Sequence, residues 1–122
     1  FEVEAIAICS HNGQALARTA AWDPSWHGPP APFSHALRVG EMCFTSGVTA
    51  QSHGFIEAPK DLTGQSHIVL RRLDALLRQL GADINDTVKT NLFNVEPGNT
   101  EDWAAPALAR GSYYTEPGSA SL

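Results

Sequence analysis

Five histidines, two cysteines and a pair of N-terminal carboxylates are the side chains of this 122-residue sequence with the most obvious capacity for chemistry. The histidines stand at positions 11, 27, 35, 53 and 67. No two of them have the i, i+4 helical spacing or the H-x-H strand spacing of a metal site, so no metal is predicted. Each is expected to face solvent or to sit in a local hydrogen bond. Cys9 and Cys43 are too few for a disulfide scaffold and are not spaced as metal ligands. Both are expected as free thiols, with Cys43, in "MCFTSG", a small buried hydrophobe. Ser46 lies in "TSG", which lacks the G-x-S-x-G frame of a nucleophile elbow. With no G-x-G-x-x-G and no P-loop, no nucleotide cofactor is predicted. The carboxylates Glu2 and Glu4 alternate with Phe1, Val3 and Ala5 in "FEVEAIAI", so they share one face of an expected strand. One of them could serve as a general acid or base in a pocket; otherwise both are simply solvated.

Bulk properties narrow the class. A chain of this length suits one domain with one core. Hydrophobic content of 43% and charged content of 17% are those of an ordinary globular protein. No apolar run approaches the roughly 18 residues of a membrane span, and no secretory signal stands at the front. A cytoplasmic protein is expected. The formal net charge of -5, with its basic residues scattered rather than clustered, argues against a nucleic-acid surface.

The elements that would position these side chains follow from local pattern. Residues 1–8 read as a strand. Residues 9–30 carry Asn12-Gly13, Asp23-Pro24 and then Gly28, Pro29 and Pro30, and read as a linker or surface loop. In that stretch Trp22 and Trp26 are expected to pin the chain to the surface. "FSHALRVGEMCFTSG" is a hairpin turning at Gly40-Glu41. Residues 48–64 read as a loop. Val69, Leu73, Leu76, Leu77 and Leu80 recur at helical spacing, with Asp61 or Thr63 as N-cap and Gly81 as C-cap. The leucines are expected to pack on the sheet. Residues 87–95, rich in β-branched and apolar types, predict a strand. "NTEDWAAPALARGSYY" predicts a second helix despite Pro106, whose place inside a helix costs about 3 kcal/mol. "TEPGSASL" reads as a loop. The order implies an α+β fold, with helices over one face of a mostly antiparallel sheet.

At "APFSHALRVGEMCFTSG" the sequence resembles the Rid (YjgF-type, reactive intermediate deaminase) family. The resemblance runs on through "QSHIVLRRLDALLRQLGA", "DTVKTNLFNVE" and "EDWAAPALARGSYYTE", and so covers residues 31–117 in family order. The closing strand of that family looks like "FEVEAIA", the stretch that opens this chain. Three explanations compete: tandem domains, a fragment, or a circular permutation. The expected organisation is a closing strand at 1–8, a linker at 9–30, and a Rid-like domain at 31–122 that lacks its last strands.

The resemblance implies a chorismate-mutase-like α+β domain with a mixed, mostly antiparallel sheet and two helices on one face. It also implies a homotrimer, or a trimer-like pairing of tandem domains, with ligand clefts between subunits. The activity it implies is hydrolysis of a small imine, enamine or related carboxylate without metal or cofactor. Carried over by position, Glu2 is the expected catalytic carboxylate, and Phe33, Ser46 and Gly47 the expected substrate-binding residues. Phe33 stands where the family has Tyr, and the family's Arg-bearing "P-A-R-[ST]-x-V" segment has no match in "PGSASL". The alternative is a non-catalytic small-ligand-binding or structural domain of a tandem protein.

Overall fold

The computed structural model describes residues 5–23, 32–95, 100–115 and 120–121. Three strands, β1 (Arg18–Ala21), β2 (Ala36–Val39) and β3 (Met42–Thr45), form one antiparallel sheet in that order. The register pairs Ala21 with Ala36 and Ala36 with Thr45. The β2–β3 hairpin turns at Gly40-Glu41 as its sequence predicts, with Gly40 at φ +59°, a conformation that costs glycine little. β4 (Gln51–Ser52) and β5 (Phe55–Ile56) make a second, shorter hairpin. β6 (Lys89–Thr90) and β7 (Ala120–Ser121) pair in parallel.

Helix α1 (Leu62–Gln79) occupies the span its periodicity predicts. Its start is fixed by Asp61, whose side chain accepts a hydrogen bond from the Gly64 N–H at 2.8 Å. Its end is a Schellman turn: Gly81 N–H donates to Arg78 O and Ala82 N–H to Leu77 O, with Gly81 at φ +78°. Arg38 of β2 adds a second anchor there, donating to Leu80 O at 2.8 Å and to Gly40 O at 2.9 Å. A cation at the carbonyl end of a helix is favoured by the helix dipole. Within α1, Arg78 donates to Asp74 at 2.7 Å, and that hydrogen bond raises the guanidinium pKa. The other oxygen of Asp74 accepts from the Ile84 N–H, which ties the helix to a short 3-10 turn at Ile84–Asp86.

The core lies on two sides of α1. Leu76 and Leu80 pack with Ala21 and Ala36 of the sheet, flanked by Cys43 and Val48. Leu70 packs with Ile84 and with Ala109 of helix α2 (Thr100–Gly111), flanked by Leu73, Tyr113 and Tyr114. Leu73 therefore faces the second helix and not the sheet. Pro106 does not break α2, because it is buried on a helix that packs along α1 and contact there offsets the lost hydrogen bond.

Several expectations need correction. Ala5 to Ile8 are not in a strand, and Glu2 and Glu4 lie outside the described residues. The stretch read as a linker contains β1, because "RTAA" finds β2 as a neighbour despite its modest β-propensity. The loop expected at 48–64 contains the β4–β5 hairpin. The strand expected over 87–95 shrinks to Lys89–Thr90. Residues 91–95 have no ladder partner among the described residues, and Phe93 and Val95 are 90% and 92% exposed in the single chain. The closing residues, expected as loop, supply β7.

Two stability outcomes follow from these contacts. Leu76 is 1% exposed between sheet and helix, so Leu76→Ala should lower unfolding free energy by about 2–5 kcal/mol in a urea melt. Asp61→Ala removes one cap hydrogen bond from an exposed helix start and should cost about 1 kcal/mol.

Candidate functional site

The three strands of the main sheet end at one place. β1 runs out into Trp22 and Asp23, β2 begins just after His35, and β3 runs out into Ser46 and Gly47. The antiparallel register brings these flanking residues together. Ser46 N–H donates to His35 O at 2.9 Å, and Ser46 Oγ donates to the same oxygen at 3.1 Å. From the other side, Asp23 N–H donates to His35 Nδ1 at 2.7 Å. Nδ1 is thus an acceptor, which leaves the ring proton on Nε2. The His35 ring is buried, edge-on to Trp22 at 5.4 Å and tilted to Phe33 at 6.3 Å between ring centres.

Asp23, His35, Ser46, Gly47, Val48 and Thr49, with Leu76 of α1 as floor, line a small pocket. Its enclosed space is about 10 Å³, room for one water centre. Gly47 borders open space: a methyl group added at its Cα meets no atom within 4 Å. Packing within this chain therefore does not require glycine there.

Arg72 of α1 holds the pocket wall from behind. Its Nη1 donates to Thr49 O at 2.6 Å and to Gln51 O at 2.7 Å, and its Nη2 pairs with the Glu57 carboxylate. Its Nε lies 3.7 Å from Asp23 Oδ2. The Arg72 side chain is only 13% exposed, so these acceptors replace most of its water. On the other edge of the pocket, the Gln79 side-chain amide both accepts from Trp22 N–H and donates to Trp22 O. Among the described residues no group of three His, Cys, Asp or Glu side chains is close enough to hold a metal ion.

Of the residues expected at a site, Ser46 and Gly47 line the pocket; Phe33 does not line it, but lies tilted against the His35 ring and is 46% exposed. Glu2 falls outside the described residues. Sequence reasoning missed Asp23, His35 and Arg72 as a connected group. For Arg72 a signal existed: it lies three residues after Val69 and four before Leu76, on the apolar stripe. A charge on such a stripe demands buried partners. Asp23 carried only its turn-forming pattern with Pro24, and the burial of His35 depends on strand pairing that its own neighbourhood does not encode.

Comparison with known proteins agrees with this architecture. A family profile described as Endoribonuclease L-PSP matches residues 26–117. The RutC family protein y4sK of Sinorhizobium fredii is 29% identical over 97 residues, 70% of this chain and 75% of that protein. In the fold, the chain is similar to RidA from the Antarctic bacterium Psychrobacter sp., with a TM-score of 0.67 at 21% identity, over 85% of this chain and 82% of that one. It is similar also to Escherichia coli TdcF, solved with bound serine, with a TM-score of 0.66 at 20% identity, over 85% and 84% of the two chains. With its sheet, its two packed helices and a profile match across most of its length, the chain belongs to the Endoribonuclease L-PSP family, the Rid/YjgF family that its motifs resemble.

Proposed function

We propose that this chain is a Rid-like hydrolytic deaminase acting on a small imine, enamine or related carboxylate in a cleft completed by a neighbouring subunit. The observation that carries this reading is the position of Ser46 and Gly47 on a water-sized pocket that also has an aspartate in its lining. Hydrolysis of a C=N bond asks for little more: a water held near the electrophilic carbon, a polar wall to orient the ligand, and a carboxylate to move protons. Ser46 Oγ spends its proton on His35 O, so its lone pairs are available to accept from water or from a ligand N–H. The open space at Gly47 allows a ligand to approach the backbone closely. Glu2 is proposed as the proton shuttle, on resemblance alone. TdcF, of the same fold, was solved with bound serine, which supports a small amine-bearing ligand. The net charge of -5 also favours a small molecule over RNA.

One chain encloses too little space for such a ligand, which supports an assembly. Val88, Phe93 and Val95 are 82%, 90% and 92% exposed in the single chain, an apolar strip beside the short strand β6. A homotrimer that covers this strip and completes the cleft is proposed. Light scattering at micromolar concentration should give the mass of three chains; a stable species of 13.1 kDa would refute the assembly.

Gly47 separates fold from function. Gly47→Ala has room and an ordinary φ, so its melting temperature should hold or rise slightly, by the equivalent of about 0.4–1 kcal/mol. Turnover of imines should fall at least tenfold if the ligand lies against that backbone. Full activity in Gly47→Ala would remove the pocket from the mechanism. In a parallel pair, Glu2→Gln should lose most of the rate and Glu4→Gln little. Equal, small effects would favour the non-catalytic, ligand-binding alternative.

A further inference from the structure

Two half-exposed aromatic rings beside the pocket narrow the substrate class, and the inference rests on the imine-hydrolysing reading just given. Trp22 is 53% exposed and Phe33 46%. A single exposed apolar side chain is ordinary on a protein surface. These two are not scattered, because both rings pack on one residue, His35. Trp22 meets the His35 ring edge-on at 5.4 Å and 65°, and Phe33 meets it tilted at 6.3 Å and 56°. Both separations lie in the roughly 4.5–7 Å range of packed aromatic pairs. The result is a cluster of three rings whose shared member is buried and whose outer members are open.

That shared member is also pocket lining. Neither Trp22 nor Phe33 lines the pocket, but His35 does. The His35 carbonyl accepts from both Ser46 N–H and Ser46 Oγ, so the aromatic cluster and the Ser46–Gly47 wall are joined through a single residue. Trp22 is moreover fixed in place. The Gln79 amide grips its backbone twice, accepting from Trp22 N–H at 3.3 Å and donating to Trp22 O at 3.1 Å. A ring presented on a fixed backbone loses little further freedom when it takes a ligand. Phe33 has no hydroxyl, and the Trp22 ring has one polar group, its indole N–H, so the surface they offer is apolar. Val48 and Leu76 continue that character in the pocket lining.

We infer that the substrate carries a bulky apolar side chain, an aromatic ring, which packs against Trp22 while its C=N carbon lies at Ser46 and Gly47, and that Trp22 sets this preference. Ring against ring removes apolar area from water on both partners. A substrate with only a methyl group leaves Trp22 in water and gains none of this. The enclosed space beside Ser46 is water-sized. In this arrangement it holds the attacking water, and the side chain lies outside it along the aromatic surface.

A matched pair of substrates tests this on the full chain: freshly prepared 2-imino-3-phenylpropanoate and 2-iminopropanoate, which differ by one phenyl ring and share the same carboxylate. Water adds to the C=N carbon of each and ammonia leaves, so both are read as ammonia release. The expected kcat/KM is at least about tenfold higher for the phenyl compound. Trp22→Ala should bring the two within about twofold of each other, and Trp22→Phe should keep most of the preference. Both variants should keep the mass in solution of the unaltered protein. A binding measurement needs no turnover and stands even where Trp22→Ala fails to fold: 3-phenylpropanoate should change the tryptophan fluorescence of the unaltered protein, propanoate at equal concentration should not, and the change should be lost in Trp22→Phe. Equal turnover of the two imines, a preference for 2-iminopropanoate, a preference that survives in Trp22→Ala, or no fluorescence response to 3-phenylpropanoate would overturn the inference while leaving imine hydrolysis intact. A smaller mass in Trp22→Ala would overturn it too, by assigning the ring to a contact between subunits. Turnover of neither imine above the buffer rate would instead remove the imine-hydrolysing reading, and this inference with it.

Discussion

One guanidinium organises the region where sheet, hairpin and helix meet. Arg72 sits on α1, yet its hydrogen bonds end on Thr49, Gln51 and Glu57, and its electrostatic reach includes Asp23 after β1. A buried arginine is costly to desolvate, and the cost is recovered only when its donors are matched by fixed acceptors. That demand works in both directions. The loop after β3 cannot wander without orphaning a nearly buried cation, and the cation cannot leave without releasing the loop. The fork shape of the side chain matters as well, because two carbonyls and two carboxylates lie on different sides of it. A lysine would offer one point charge and could not span them. The pocket wall is ordered by this contact more than by any strand, since residues 46–50 have none of their own.

Helix α1 was the most legible element of the sequence, for a physical reason. Its leucines recur at a period that only a helix places on one side, and its ends carry an aspartate cap and a glycine stop that act locally. The β2–β3 hairpin was legible on the same terms, through a two-residue turn with glycine at a positive φ. What the period could not settle was which side of the helix meets which neighbour. Leu73 and Leu76 both read as core, yet one packs toward α2 and the other toward the sheet. Three residues along a helix set them about 60° apart, neighbours on one stripe whose two edges meet different layers.

The strands that failed to match expectation share a cause. β1 is short, largely exposed and poor in β-formers, and it exists because β2 offers it a ladder. Residues 91–95 include the β-formers Phe93 and Val95, yet have no ladder among the described residues and no strand. Strand formation is decided by the neighbour, which a linear reading does not see. The site was half legible for a similar reason. Ser46 and Gly47, which line the candidate pocket, were expected at a site only through resemblance to a family. Asp23 and His35 reach them only through pairing between β1, β2 and β3, residues separated by long stretches of chain.

The junction between Arg38 and Gly81 limits how this sequence can drift. A Cβ at position 81 would sit 3.2 Å from the Arg38 guanidinium and would also have to adopt φ +78°. A chain that first loses Arg38 gains space at position 81 but still meets the backbone restriction. A chain that first replaces Gly81 must strain its turn and displace the arginine together. The two routes to the same double variant therefore cross barriers of different height. History at this junction is directional: the glycine is replaced at lower cost after the arginine has gone than before it, and the positive φ opposes the replacement on either route.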